Sequence, residues 1–152
     1  MARSSRRRAR EFALQGLYQW QLAGTDAGTI ARELAEARGF DKLDADYFRQ
    51  LLHGTIASAP ELETALSPCL DRKFSQLSPV ERAILLAAAY ELTHQADVPC
   101  RVVINEAVEL AKTYGGTDGY KFVNGVLDKL AAQFRPAELR TGSREREQRD
   151  EK

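Results

Sequence analysis

Apolar residues recur at intervals of three and four along nearly the whole chain, and the strict alternation of a half-buried strand is scarce. The spacing predicts seven helices. The first runs from about Ser5 to Leu22, with Ala9, Phe12, Ala13, Gly16, Leu17 and Trp20 on one side and Gly24 just beyond its end. The second covers roughly Thr29 to Arg38, with Ile30, Leu34 and Ala37 inward and Gly39 suited to the left-handed position after a helix. Asp44 is placed to cap a third, in which Tyr47, Phe48, Leu51, Leu52, Thr55 and Ile56 keep helical spacing. Pro60 ends that helix and opens a short fourth carrying Leu62 and Leu66, which Pro68 interrupts.

The clearest start signal is Ser78-Pro79-Val80-Glu81, a capping box with proline at the first helical position. The fifth helix begins there and runs to about Gln95; it is apolar on most sides, so it belongs in the centre of the molecule. Pro99 introduces a sixth, with Val103, Ile104, Ala107, Val108 and Ala111 inward, stopped by Gly115 and Gly116. Arg101 to Ile104 has strand propensity, but the helical period that continues through Ala107, Val108 and Ala111 favours helix. Thr117 or Asp118 caps a seventh, with Phe122, Val123, Val126, Leu127, Leu130 and Phe134 inward, ending at Pro136. Beyond it the run TGSREREQRDEK has almost no apolar residue and mixed charge, which predicts a disordered tail over 137–152. No internal repeat interrupts this all-α reading.

A chain of 152 residues makes one domain or two small subdomains. No run approaches the roughly 18 consecutive apolar residues of a membrane span, and the start lacks the apolar segment and cleavage site of a secretory signal. A cytoplasmic protein is expected. Cys69 and Cys100 form no CxxC, which leaves a disulfide framework or a zinc site without support. The formal net charge is zero but unevenly placed. Five arginines and no acid stand in the first ten residues, whereas residues 21–70 hold eight acids against four bases. The local field therefore says more about partners than the sum does.

On a helical wheel Arg3, Arg6, Arg7 and Arg10 fall within an arc of about 100°, beside the apolar face, and Leu14, Tyr18 and Gln21 continue in roughly the same direction. A charge run near a chain end is most simply a solvated face. Yet cations at a helix N-terminus are mildly disfavoured by the macrodipole, which hints at a use elsewhere. Arginine forks match phosphate oxygens, and an exposed ring stacks on an unpaired base.

Enzymatic chemistry has little to stand on. His53 and His94 are the only histidines, without HExxH, GxSxG or paired metal spacing, and Glu109 is as well placed for a surface pair with Lys112 as for catalysis with Glu106. No catalytic residue, metal ligand or cofactor is expected. GGTDG has neither Walker nor GxGxxG spacing and comes after a helix, so it reads as a helix-to-helix turn. That turn nevertheless brings Lys121 to a helix start whose free amides and dipole favour an anion, with Tyr114, Tyr120 and Phe122 nearby in sequence.

RRRAREFALQGLYQW together with INEAVELAKTYGGTDGYKFVNGVLDK closely resembles the NusB family of bacterial transcription antitermination factors, and VERAILLAAAYEL with DVPCRVVINEAVELAK extends the likeness across about Arg6 to Pro136. The resemblance implies two small helical bundles packed together, roughly 1–76 and 77–136, without enzymatic activity. It also implies binding to the boxA element of nascent ribosomal RNA leader transcripts as a heterodimer with NusE, a small-subunit ribosomal protein, and assembly with other Nus factors on RNA polymerase. Carried over, it nominates Arg6, Arg7, Arg10, Tyr18, Lys121 and Phe122 for RNA binding and Glu81 for contact with NusE. A homodimer stays open, since members of the family differ in self-association. Two other readings stand beside this one: a helical protein-interaction adaptor whose arginines serve solubility, and an RNA-holding subunit of an RNA-modifying enzyme. A helix-turn-helix DNA binder is weaker, because no short helix pair ends in a basic recognition helix.

Overall fold

The computed structural model describes residues 4–116 and 118–139. Among them the helices are α1 (Ser5–Ala23), α2 (Ala27–Ala35), α3 (Ala45–Ala57), α4 (Ala59–Leu66), α5 (Pro79–His94), α6 (Cys100–Tyr114) and α7 (Gly119–Phe134), with 3-10 turns at Phe40–Lys42, Ser67–Cys69 and Phe74–Gln76 and no strand. Local chemistry sets most of these boundaries. Asp44 accepts from the Tyr47 N–H at 3.1 Å, and Gly24 takes the left-handed conformation (φ 68°) that releases the chain from α1. α2 begins earlier than its spacing suggests because Asp26 caps it, accepting from the N–H and hydroxyl of Thr29 at 3.0 and 2.7 Å. It also ends earlier, at Ala35, and the chain turns through residues 36–39 to Gly39 (φ 92°). Residues 101–104 are helical, as the longer period requires.

The start of α5 differs in one detail from a reciprocal capping box. Ser78 Oγ accepts from the Glu81 N–H at 3.1 Å, but the Glu81 carboxylate answers the Ser78 hydroxyl at 3.0 Å rather than its backbone N–H. α5 is central: Ala83 to Ala89 and Leu92 are buried, and the helix packs on α1, α3, α4, α6 and α7. One continuous core joins residues of all seven helices. Burying a side chain such as Leu85 or Phe48 contributes about 1.5–3 kcal/mol, which is why an isolated amphipathic helix becomes stable only here. Two glycines permit close approach. A Cβ on Gly54 would lie 2.3 Å from the Tyr90 ring, and one on Gly16 would lie 2.9 Å from Leu52.

The chain past α7 corrects the expectation of a disordered tail from residue 137. Residues 136–139 make another helical turn, held because the buried Arg135 donates to the carbonyls of Leu92, Val98, Glu91 and Gln95 and pairs with Glu138. Glu138 in turn accepts from the Cys100 N–H at 2.8 Å, capping α6 from 38 residues away. The rest of the predicted tail, 140–152, lies outside the described residues.

Candidate nucleic-acid interface

Ser4 caps α1 by accepting from the Arg7 N–H at 3.0 Å, so the arginine stretch enters the helix from its first turn. Arg6 is exposed, and its guanidinium lies 4.3 Å from the centroid of the Tyr47 ring. Arg7 makes a two-pronged pair with Glu106 of α6 at 2.9 and 2.8 Å, while its side chain stays 42% exposed. The Glu106 hydrogen bonds and charge raise its pKa above the ordinary value, so Arg7 is a permanent cation with one edge committed.

Arg10 departs from the expectation. It is 5% exposed, and its guanidinium grips Glu91 of α5 at 2.8 and 3.1 Å, beside Leu14, Ala87 and Ala107. Burial alone would lower its pKa; hydrogen bonds and charge from Glu91 outweigh that and leave it raised. Tyr47 completes the buried set by donating its hydroxyl to Glu91, and burial, then the Glu91 charge, pushes the phenol up. The arc that carries Arg6 and Arg7 thus turns under α5 by its third turn, which also buries Leu14. Arg10 is buried there and engaged with Glu91, with its guanidinium 5.4 Å from the centroid of the Tyr47 ring on which Arg6 also rests.

Tyr18, 41% exposed, stands farther along α1 in a groove of about 330 Å³ lined by Phe12, Leu14, Val80 and Tyr114, with Glu11 and Gln15. Gln21 fastens this end of α1 to α5 by donating to the Pro79 carbonyl at 2.9 Å. Val80 is the chain neighbour of Glu81, so the groove that holds the ring expected to meet RNA is lined by the residue next to the one expected to meet a protein.

The turn before α7 supplies the other half. Asp118 holds a left-handed conformation (φ 63°) at the capping position but makes no side-chain cap; its carboxylate lies 3.5 Å from Lys121 Nζ instead. Thr117, the other expected cap, lies outside the described residues. Lys121 is exposed, and Lys112 and Lys121 lie 5.3 and 5.9 Å from the Tyr120 ring. Phe122 is half-buried, packed partly against the core, with the Arg72 guanidinium 4.8 Å from its centroid.

α6 bridges the two halves. Its Glu106 meets Arg7, its Tyr114 shares the groove with Tyr18, and its Lys112 reaches Tyr120. Lys112 also forms the expected surface pair with Glu109, at 3.5 Å. Sequence reasoning missed Tyr47, Glu91, Lys112 and Arg72 as members of this surface and its support. Helical spacing assigned Tyr47 to the core, which is where its ring begins, but nothing local signals that Glu91 would find Arg10 across 81 positions. Among the described residues no group of three or more His, Cys, Asp or Glu is placed to hold a metal, and no helix is long and apolar enough to cross a membrane.

The NusB family model matches residues 7–132. A curated relative from Paraburkholderia phymatum, a transcription antitermination protein NusB, is 58% identical over 142 residues, covering 93% of this chain and 98% of the relative. Its counterpart from Paraburkholderia phytofirmans is 61% identical over 133 residues, covering 88% and 92%. Among solved structures, T. maritima NusB superposes with a TM-score of 0.80 at 29% identity, over 91% of this chain and 99% of that one. A crystal structure of the antitermination factors NusB and NusE in complex with double-stranded RNA gives 0.76 at 29% identity, over 84% and 96%.

Proposed function

The chain belongs to the NusB family, and on that premise we propose that it is a transcription antitermination factor that binds the boxA element of nascent ribosomal RNA leaders together with NusE. It helps assemble the antitermination complex on RNA polymerase with the other Nus factors. The observation that carries the reading is the basic start of α1, where Arg6 and Arg7 are helical, adjacent and open to solvent at the edge of the family match. Arg6 stacked on Tyr47 keeps its N–H edge available to phosphate oxygens. Lys121 offers a third cation at the start of α7, where Asp118 makes no side-chain cap and backbone amides favour an anion.

Arg6, Arg7, Lys121 and Phe122 form the RNA face in this reading, and Tyr18 its border with the partner. Cations supply a salt-sensitive attraction, and rings with base-edge hydrogen bonds select the unpaired element. Glu81 and the apolar groove beside it are the surface for NusE; a second basic protein docked there extends the RNA path and raises effective concentration. The protein works by binding, without catalysis, in the cytoplasm where transcripts emerge. The division near residues 76 and 77 belongs to the same proposal.

Fluorescence anisotropy with labelled boxA RNA and a scrambled control, across a salt series with and without NusE, tests it. Selective binding that tightens with NusE is expected. Arg6→Ala and Lys121→Ala should each weaken it and reduce the salt slope by about one, whereas Glu81→Ala should weaken only the NusE-dependent step. Arg7→Glu is a poor probe, because it sets a second carboxylate against Glu106; Arg7→Gln removes the charge and the ion pair without adding a like charge. Equal weak binding to both RNAs, indifferent to NusE, would abandon the reading for a helical adaptor with a nonspecific basic face.

A further inference from the structure

Between α4 and α5 the chain runs through two 3-10 turns, Ser67–Cys69 and Phe74–Gln76. Cys69 and Leu77 anchor its ends in the core, and the first turn packs on α7. Asp71, Arg72 and Lys73 stand exposed between these anchors, so they project from a held loop. Arg72 crosses to α7 and lays its guanidinium over Phe122, 4.8 Å from the ring centroid, while Asp71 accepts from its Nε at 2.8 Å and its Nη2 at 3.3 Å.

A base cannot stack on Phe122 where the guanidinium already lies. A base that takes this face of the ring displaces the guanidinium, whose long side chain, 47% exposed, can swing without disturbing the core. The nearest alternative partner for a displaced guanidinium beside a stacked base is the backbone phosphate of that same strand, which the arginine fork matches in shape and charge. Asp71 opposes this move because it holds two of the donors a phosphate would use.

We propose that Arg72 is a further RNA-contacting residue, which exchanges the Phe122 ring and the Asp71 carboxylate for an RNA phosphate when a base takes the ring, and that Asp71 restrains the exchange. The inference rests on the RNA-binding reading above. It makes two substitutions of adjacent, exposed residues act with opposite sign, which a merely structural ion pair does not do.

The test is boxA anisotropy across a salt series, with NusE present, for the wild type, Arg72→Ala, Arg72→Lys, Asp71→Asn and the Asp71→Asn/Arg72→Ala double variant. Arg72→Ala should weaken binding roughly ten-fold and lower the salt slope by about one. Arg72→Lys should keep the slope and recover only part of the affinity. Asp71→Asn should tighten binding a few-fold, and do nothing once Arg72 is alanine. Unchanged affinity and slope in Arg72→Ala would overturn the proposal, as would tighter binding, which would make the guanidinium only a cover for the ring. Equal losses in both single variants would reduce the pair to a structural one. Absence of boxA binding by the wild type would instead remove the RNA reading itself.

Discussion

Arg6 and Arg10 both set their guanidiniums against the Tyr47 ring, at 4.3 and 5.4 Å from its centroid, yet only Arg6 is at the surface. The difference decides what each can do. Removing Arg10 leaves Glu91, 3% exposed, as a buried charge without its partner and takes one support from the Tyr47 hydroxyl's acceptor. Arg10→Ala is therefore expected to destabilise the fold by about 3–5 kcal/mol, read as a fall in Tm, while RNA affinity at a temperature where the variant is folded changes much less. A variant with normal Tm and lost RNA binding would return Arg10 to the RNA face. Helical spacing grouped Arg10 with Arg6 and Arg7 because a wheel reports direction alone. Which directions are closed depends on α5 and α6, whose placement no stretch of α1 encodes.

The joint between α5 and α6 depends on residues beyond α7. Glu138 caps α6 through the Cys100 N–H, and Arg135 gathers the last carbonyls of α5 together with that of Val98. Burial would raise the Glu138 carboxyl, but the Cys100 N–H and Arg135 hold it below its ordinary value of 4.5. A lowered folded-state pKa means that its contribution to stability is complete above about 4.5 and is lost as pH falls through the lower folded value. Glu138→Gln keeps an oxygen for the Cys100 N–H but removes the charge, and should thus lower stability near neutral pH by about 0.5–1 kcal/mol. The gap from the wild type should close in strong acid, as chemical denaturation at about pH 7 and about pH 3 will measure; a gap constant with pH would assign Glu138 no ionic role. Pro99 made the start of α6 legible from its own sequence. That the cap would come from 38 residues later was not, since a charged stretch past a proline has the composition of a solvated tail.

For the whole molecule the position of α5 governs cooperativity. It packs on helices from both halves of the chain, and the core is continuous, so neither half can open without exposing the apolar surface of α5. Unfolding monitored by fluorescence of Trp20, the single tryptophan, on α1, and by helical circular dichroism should give superimposable transitions. Separated midpoints would mean that the two proposed subdomains unfold independently. The sequence by itself determined the all-α class, the order of the helices and most of their ends. Caps, prolines and glycines act within one turn, and an apolar stripe at a period of about 3.6 declares itself over a dozen residues. Only the tertiary structure decided which arginine of one stripe stays in water, which carboxylate meets each cation, and that Arg72 reaches Phe122. Those outcomes depend on side chains brought together from distant positions by burial of the shared core, and burial is indifferent to which polar residues it carries inward as long as each finds a partner.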